Sequence, residues 1–388
     1  MQLISFDIDH FLREVWQKKP MLIRNPWKSW TNPLEPDELA GLACEQGVEA
    51  RLIVRGDVVA GAEQWTVEQG PLAAARFGRF QREPWTLLVQ AVDHHVPEVA
   101  ALLEPFRFIP NWRIDDVMVS YATDRGGVGA HFDQYDVFLV QGLGKRRWQV
   151  GPACDAQAEL LPHDDLRLLA KFEAVEEWIL EPGDILYVPP RVPHNGVAVG
   201  DDCMTYSIGF RAPSRSELIA HWCDHVLAGV GDDDRYTDPA LQRQDNPGEI
   251  AAEALTRLHD LIAGQLLDRA AFARWFGQYN TASKYPETDW QPEARIGRSQ
   301  LRDLVAAQVP LCRNPASRFA FIRLPGGVLQ LFVDGECYEC TGQTARFAEA
   351  LCAQDCVSIE PALIETEAAA SLILTLCNQG SVAFDEED

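Results

Sequence analysis

The sequence predicts an α+β chain in three parts, and three observations carry that reading. Up to about residue 213, short apolar runs recur between Gly and Pro: RLIVRGDVVA, DDVMVSYA, DVFLVQG, RRWQVG, EEWILEPGDILYVPP and MTYSIGFRAP. Such spacing fits a largely antiparallel barrel or sandwich. From 214 to 285 the apolar residues recur at helical spacing instead. From 286 to 388 the pattern reads helix, strands, two helices and a last short strand, an order that fits a winged-helix arrangement.

Each element has its local reason. FDIDHFLREVWQKK is helical in pattern and ends at Pro20, and Pro36 and Asp37 suit the start of PDELAGLACEQ. Ser214 or Ser216 can cap the next helix, where Leu218, Trp222 and Val226 recur every four residues. Leu255, Leu258 and Ile262 repeat the pattern, and RAAFARWFGQY follows as a shorter helix. Their apolar stripes need cover, from the barrel or from a second subunit. Farther on, the Gly pair at 326–327 and Asp334–Gly335 are turn signals between the predicted strands.

Composition narrows the function. The 388 residues suggest two or three domains, and 47% apolar with 24% charged residues excludes extensive disorder. No apolar run approaches the ~18 residues of a membrane span, and MQLISFDIDHF lacks a basic flank before an apolar core. No membrane association and a cytoplasmic location are expected. Lys plus Arg number 34 against 58 Asp plus Glu, a net charge of -24. That argues against general nucleic-acid binding and toward a basic partner. Residues 281–388 alone carry eight basic against sixteen acidic side chains, ending in FDEED, so direct DNA binding is not expected. The ten cysteines are too sparse for a disulfide scaffold and are expected to be reduced.

The chemistry concentrates in HFDQYDVF and EPGDILYVPPRVPH. His131 and Asp133 lie two apart, so on a strand both point to one face. His194 follows a Pro-Gly-Asp turn and a strand. Two histidines and a carboxylate can cap one face of an octahedral metal and leave three positions open, the facial triad of non-haem Fe(II) oxygenases. Nearby, alternation puts Arg146 on the face of Trp148, with Lys145 and Arg147 opposite, without saying which face is inside.

Other signals take the plain reading. Cys337-x-x-Cys340 and Cys352-x-x-x-Cys356 have zinc-like spacing, but they sit on a predicted strand and along a helix, so zinc is not expected. The adjacent His94 and His95 diverge and read as exposed or capping residues. No phosphate loop, dinucleotide fingerprint or nucleophile elbow is present.

At these residues the chain resembles the JmjC-type 2-oxoglutarate oxygenases, and among them the bacterial ribosomal oxygenases. The likeness runs through FLREVWQKKPMLIRN, NPLEPDELAGLA, PWTLLVQAVDHHVPE, WRIDDVMVSYA, GGVGAHFDQYDVFLVQGLGKRRW, LEPGDILYVPP and YSIGFRAPSRSELI, from residue 11 to about 220. It implies a double-stranded β-helix (cupin/JmjC) barrel over 1–213, a helical dimerisation region over 214–285 and a winged-helix-like domain over 286–388. It assigns His131, Asp133 and His194 to Fe(II), selects Arg146 for the far carboxylate of 2-oxoglutarate, and adds Ser120 to that cosubstrate. An Arg fork suits a carboxylate because it makes two parallel charge-assisted bonds. If Ser120 faces the cavity, Met118 and Asp116 share its face. Asp116 then either receives the guanidinium of a substrate arginine or pairs with a local residue such as Arg113, while Tyr135, on the parity of Asp133, lines the mouth and Ser207, on the late strand MTYSIGF, is another polar group of the cavity. The resemblance implies a homodimer that hydroxylates an arginine β-carbon on large-ribosomal-subunit protein sixteen, with release of succinate and CO2. The alternatives are oxygenation of another basic protein or a small molecule, demethylation of lysine, and a non-catalytic cupin and winged-helix sensor.

Overall fold

The computed structural model describes residues 2–59, 62–79, 83–155 and 157–385. Residues 386–388 of the acidic tail, and Ala60 at the end of the first apolar run, lie outside the described residues. Contacts divide the chain into two units. The first is Met1–Ala212 with Lys284–Trp290 and Asn314–Ala316, and the second is Pro213–Ser283, Gln291–Arg313 and Ser317–Asp388.

Among the described residues, the first unit holds helices α1 (Ile8–Glu14), α2 (Pro36–Leu42) and α3 (Pro97–Ala100) and eleven strands. These are β1 (Met21–Ile23), β2 (Ala50–Val59), β3 (Ala62–Gln69), β4 (Trp85–Val89), β5 (Ile114–Ala122), β6 (Asp136–Leu143), β7 (Arg146–Val150), β8 (Glu176–Leu180), β9 (Ile185–Val188), β10 (His194–Ala198) and β11 (Cys203–Phe210). A large sheet runs β1-β9-β6-β11-β5-β4-β2-β3, and a small one runs β10-β7-β8, all antiparallel. Alternation along each strand gives the large sheet two different faces. Val117, Val119, Phe138, Val140, Tyr206 and Ile208 pack on one side against Phe11 of α1. On the other side Val137, Leu139, Leu186 and Val188 meet Trp148, Val150 and Leu180 of the small sheet. The two sheets thus close on each other as a double-stranded β-helix. Gly196 lies opposite Trp148, and a Cβ there would stand 2.6 Å from the indole, so the cavity wall requires glycine at this position.

The first helix stops at Glu14, six residues before Pro20. Gln17 adopts φ +57° and donates its backbone N–H to the Tyr187 hydroxyl at 2.8 Å, a tertiary bond that replaces the next helical turn.

The second unit begins with α4 (Arg215–Gly229), α5 (Ala252–Leu266) and α6 (Arg269–Thr281). Ser214 is the cap: its hydroxyl accepts from the Glu217 backbone while the Glu217 side chain accepts from the Ser214 N–H. Trp222 is buried against Phe272 and Trp275. Leu255, Leu258 and Ile262, by contrast, are exposed. Next come α7 (Arg298–Ala306), β12 (Leu311–Arg313), β13 (Phe319–Arg323), β14 (Leu329–Val333), β15 (Glu336–Cys340), α8 (Gly342–Ala353), β16 (Cys356–Val357), α9 (Pro361–Ile364), α10 (Glu367–Asn378) and β17 (Val382–Phe384). Asp334 and Gly335 both have positive φ, +49° and +88°, as a two-residue hairpin between β14 and β15 requires. The short β12 and β16 escape sequence periodicity because two or three residues cannot show a period.

Those short strands correct one expectation. Cys312 and Cys356 stand opposite each other in register and form a disulfide, so the cysteines are not all free thiols. Cys356 is thereby removed from the zinc-like set, and Cys340 and Cys352 are buried thiols that burial pushes up to about 11 and about 12, protonated and poor as ligands.

Candidate active site

His131 and His194 face each other across an isolated antiparallel bridge, each donating its backbone N–H to the other's carbonyl at 3.1 and 2.8 Å. The imidazole centroids are 4.4 Å apart. Asp133 is fixed from behind, its carbonyl accepting from the Arg191 N–H at 2.6 Å, and its carboxylate lies 3.7 Å from His194 Nε2. The Pro182–Gly183–Asp184 turn aims β9 and β10 at this point. Gly183 takes φ +90°, and the buried Asp184 carboxylate accepts from the Asn25 and Glu181 N–H groups.

Each histidine has one nitrogen committed and one free. Nδ1 of His131 lies 3.0 Å from the Gly129 carbonyl, and Nδ1 of His194 lies 3.1 Å from that of Val192. A carbonyl can only accept, so Nδ1 carries the proton and Nε2 presents its lone pair. Burial, followed by the neighbouring His131, pushes His194 down to about 4 and keeps it neutral near pH 7. Donor atoms of His131, Asp133 and His194 lie within 4.8 Å of one another, close enough to share one ion. This donor set, two imidazoles and one carboxylate on one side, fits a divalent iron-type metal with open positions.

Arg146, 3% exposed, stands on β7 with its guanidinium 5.7 Å from the ring of Trp148, the residue that packs beside His194. Its Nε points at Cys203 Sγ, 3.4 Å away, and its Nη2 is buried without a hydrogen-bond partner. The neighbouring Trp148 Nε1 is buried and unpartnered as well, with its ring 5.8 Å from that of His194. Orphaned donors beside a metal-competent triad mark a place for an anionic ligand. Lys145 faces outward and pairs with Glu181 at 2.6 Å, both exposed. Ser120, 3% exposed, shares the inner face with Met118 and Asp116, and its hydroxyl reaches the Thr205 carbonyl at 3.4 Å.

At the mouth, Tyr135 has an exposed ring but bonds through its hydroxyl to Asp133. Burial of that hydroxyl, then Asp133, Asp116 and Asp115, hold it above the ordinary tyrosine range. Ser207 is half-buried on β11, opposite Met118. Asp116 is 2% exposed, and its ion pair is not with Arg113, which bonds Asp136 at 3.1 Å. Its partners are Lys284, at 2.6 Å, and the Gln90 amide, at 2.8 and 2.9 Å. Beneath it, burial and then Asp116 push the Asp93 carboxyl up to about 8. His94 is not exposed but buried against Tyr285, whereas His95 caps the C-terminus of a short 3-10 turn, Val92–His94, and packs on Trp290. Sequence reasoning missed Lys284 and Gln90, because 168 and 26 residues separate them from Asp116 and neither belongs to a motif.

The JmjC domain family matches residues 101–218, and the ROXA-like winged helix matches residues 257–383. The ribosomal protein uL16 3-hydroxylase of Escherichia coli (strain K12) is 39% identical over 289 residues, 73% of this chain and 75% of that protein. The solved structure of E. coli YcfD aligns with a TM-score of 0.88 at 33% identity, over 99% of this chain and all of that one. A second YcfD structure, a ribosomal oxygenase in complex with cobalt and 2-oxoglutarate, aligns with a TM-score of 0.85 at 33% identity, over 99% of each chain. The chain belongs to the JmjC-domain ribosomal oxygenases.

Proposed function

We propose that this protein is an Fe(II)- and 2-oxoglutarate-dependent hydroxylase of the arginine β-carbon in ribosomal protein uL16. The observation that carries the reading is three convergent metal donors together with the buried, unpartnered Arg146 Nη2, the two linked by Trp148, whose ring lies 5.8 Å from His194 and 5.7 Å from the Arg146 guanidinium. The E. coli relative is named for C3 hydroxylation of uL16, and a YcfD structure holds cobalt with 2-oxoglutarate.

Nε2 of His131, Nε2 of His194 and the Asp133 carboxylate would hold the metal. Arg146, with Ser120, would take the far carboxylate of 2-oxoglutarate. Iron with 2-oxoglutarate supplies an oxidant able to hydroxylate an unactivated carbon, with succinate and CO2 as by-products. Met118, Leu139 and Trp148 keep the interior wall apolar and limit water. Asp116 receives the substrate guanidinium between Tyr135 and Ser207, which fixes the β-carbon relative to the metal.

The exposed Ile219, Leu227, Leu255 and Ile262 support pairing of the helices in 214–285 with a second copy. A ribosomal client places the protein in the cytoplasm, and among the described residues no helix is long and apolar enough to cross a membrane. Succinate release tests the class: with Fe(II), it should rise on adding a peptide from the arginine-bearing loop of uL16. Succinate release that ignores the peptide would assign the oxygenase chemistry to a different client.

A further inference from the structure

The residues Lys284–Trp290 leave the helical region and pack with the barrel unit. Two aromatic contacts and a hydrogen bond tie them down. The Tyr285 hydroxyl donates to Glu49 at 3.1 Å, its ring lies 6.0 Å from that of His94, and Trp290 lies 6.0 Å from His95. At the head of this strap, Lys284 reaches Asp116 Oδ2 at 2.6 Å and Asp115 Oδ2 at 3.2 Å.

Asp116 is nearly saturated by these contacts. The Gln90 amide approaches both oxygens from one side, and the Lys284 ammonium takes Oδ2. The Lys284 side chain is 21% exposed, whereas that of Asp116 is 3% exposed, so the lysine is the outer partner. Tyr135 and Asp115 flank Gly209, at 4.0 and 3.9 Å from where its Cβ would stand, which puts this ion pair beside Tyr135, whose hydroxyl bonds Asp133 of the metal triad. A carboxylate this buried and left without a cation would be costly. Yet a guanidinium reaching Asp116 must find a free oxygen.

We infer that Lys284 is an internal stand-in for the substrate cation: it neutralises Asp116 in the resting protein, and the incoming arginine displaces it onto Asp115. This rests on the assignment of Asp116 as guanidinium acceptor. Geometry favours the exchange, because Lys284 already touches Asp115 and its four-carbon stem is flexible while Tyr285 and Trp290 hold the strap backbone. Lys284 therefore acts as a built-in competitor that lowers affinity for any cationic side chain, and it does not orient Asp116 for the substrate.

The test uses the full chain loaded with Co(II) and 2-oxoglutarate at pH 8.5, with dissociation constants measured for two uL16 loop peptides. One carries arginine at the target position and the other carries citrulline, isosteric but uncharged. In Lys284→Met the arginine peptide should bind about tenfold more tightly, the scale of one charge-assisted hydrogen bond, and the citrulline peptide should be unchanged. Lys284→Arg keeps the charge and holds Asp116 with a bidentate fork, so it should weaken the arginine peptide. Unchanged 2-oxoglutarate binding checks that the variants are folded. An arginine peptide that binds Lys284→Met equally or more weakly would overturn the competitor role, as would a gain shared by citrulline. If Lys284→Met does not fold, undiminished binding of the arginine peptide to Lys284→Arg overturns it alone. If the native protein prefers neither peptide and adds no oxygen to the arginine, the arginine-client reading falls first, and the stand-in role with it.

Discussion

Single side chains divide into those that make the chemistry and those that make the cavity, and burial separates them. His131→Ala or Asp133→Ala should abolish succinate formation while thermal unfolding stays close to native, because backbone bonds from His194 and Arg191, which these substitutions keep, hold their neighbourhood. Unfolding of either variant would mean that the triad holds the barrel together. Arg146→Ala should raise the half-saturating 2-oxoglutarate concentration by about a hundredfold, the worth of a buried bidentate pair, whereas Lys145→Ala should leave it within about twofold. Equal effects would reverse the assignment of inner and outer face. Asp93 gives a pH signature. Its folded-state value of about 8 lies above the ordinary 3.8, so the folded protein binds the extra proton between those limits. Its contribution is therefore full below pH 4 and is lost as pH rises toward 8. Asp93→Asn can still accept from the Val117 N–H and should gain stability over native on going from pH 6 to pH 8, by about 2 kcal/mol or less, read by denaturant melts. A constant difference would mean that Asp93 titrates normally. At this scale the triad was legible, because His131 and Asp133 share a strand-like parity and His194 follows a turn. The partner of Asp116 was not legible, since Lys284 is brought to it only by the folded chain.

Elements were legible in proportion to their length. The helix after Ser214 was announced by two candidate caps, Ser214 and Ser216, and the structure selects Ser214, in a capping box with Glu217 that shows both reciprocal bonds. Glu217 is held below the ordinary carboxylate range by the backbone N–H of Ser214. Ser214→Ala should cost about 1 kcal/mol in the unfolding of the second unit, followed by helical circular dichroism, and no loss would show that the cap is redundant. The end of the first helix was misplaced for the opposite reason: the local turn bonds of Trp16, Lys18 and Lys19 leave no mark in the residue pattern, and the bond from Gln17 to Tyr187 comes from 170 residues away. Strand parity was informative because the large sheet has two buried faces of different kind. Val117 and Val119 enter an apolar core, whereas Asp116, Ser120, Thr205 and Gln141 are buried polar side chains on the opposite face, among apolar residues such as Met118 and Leu139.

For the molecule as a whole, charge and client must agree. A net charge of -24 attracts a basic peptide at a distance, and mobile ions screen that attraction beyond a Debye length of about 10 Å at 0.1 M salt. Raising salt from 0.05 to about 0.5 M should therefore raise the KM for the peptide severalfold while changing that for 2-oxoglutarate little, because Arg146 is buried. A salt-insensitive peptide KM would confine recognition to the cavity. Charge was readable from composition, but the two-unit division with Lys284–Trp290 returned to the barrel was not, because no composition shift marks that segment.

The most direct test of the central claim is fragmentation mass spectrometry of the uL16 loop peptide after incubation with the protein, Fe(II) and 2-oxoglutarate. One added oxygen is expected on the β-carbon of a single arginine, absent without 2-oxoglutarate and absent with Asp133→Ala. An unmodified peptide alongside full succinate release, or an oxygen placed without regard to 2-oxoglutarate, would contradict it.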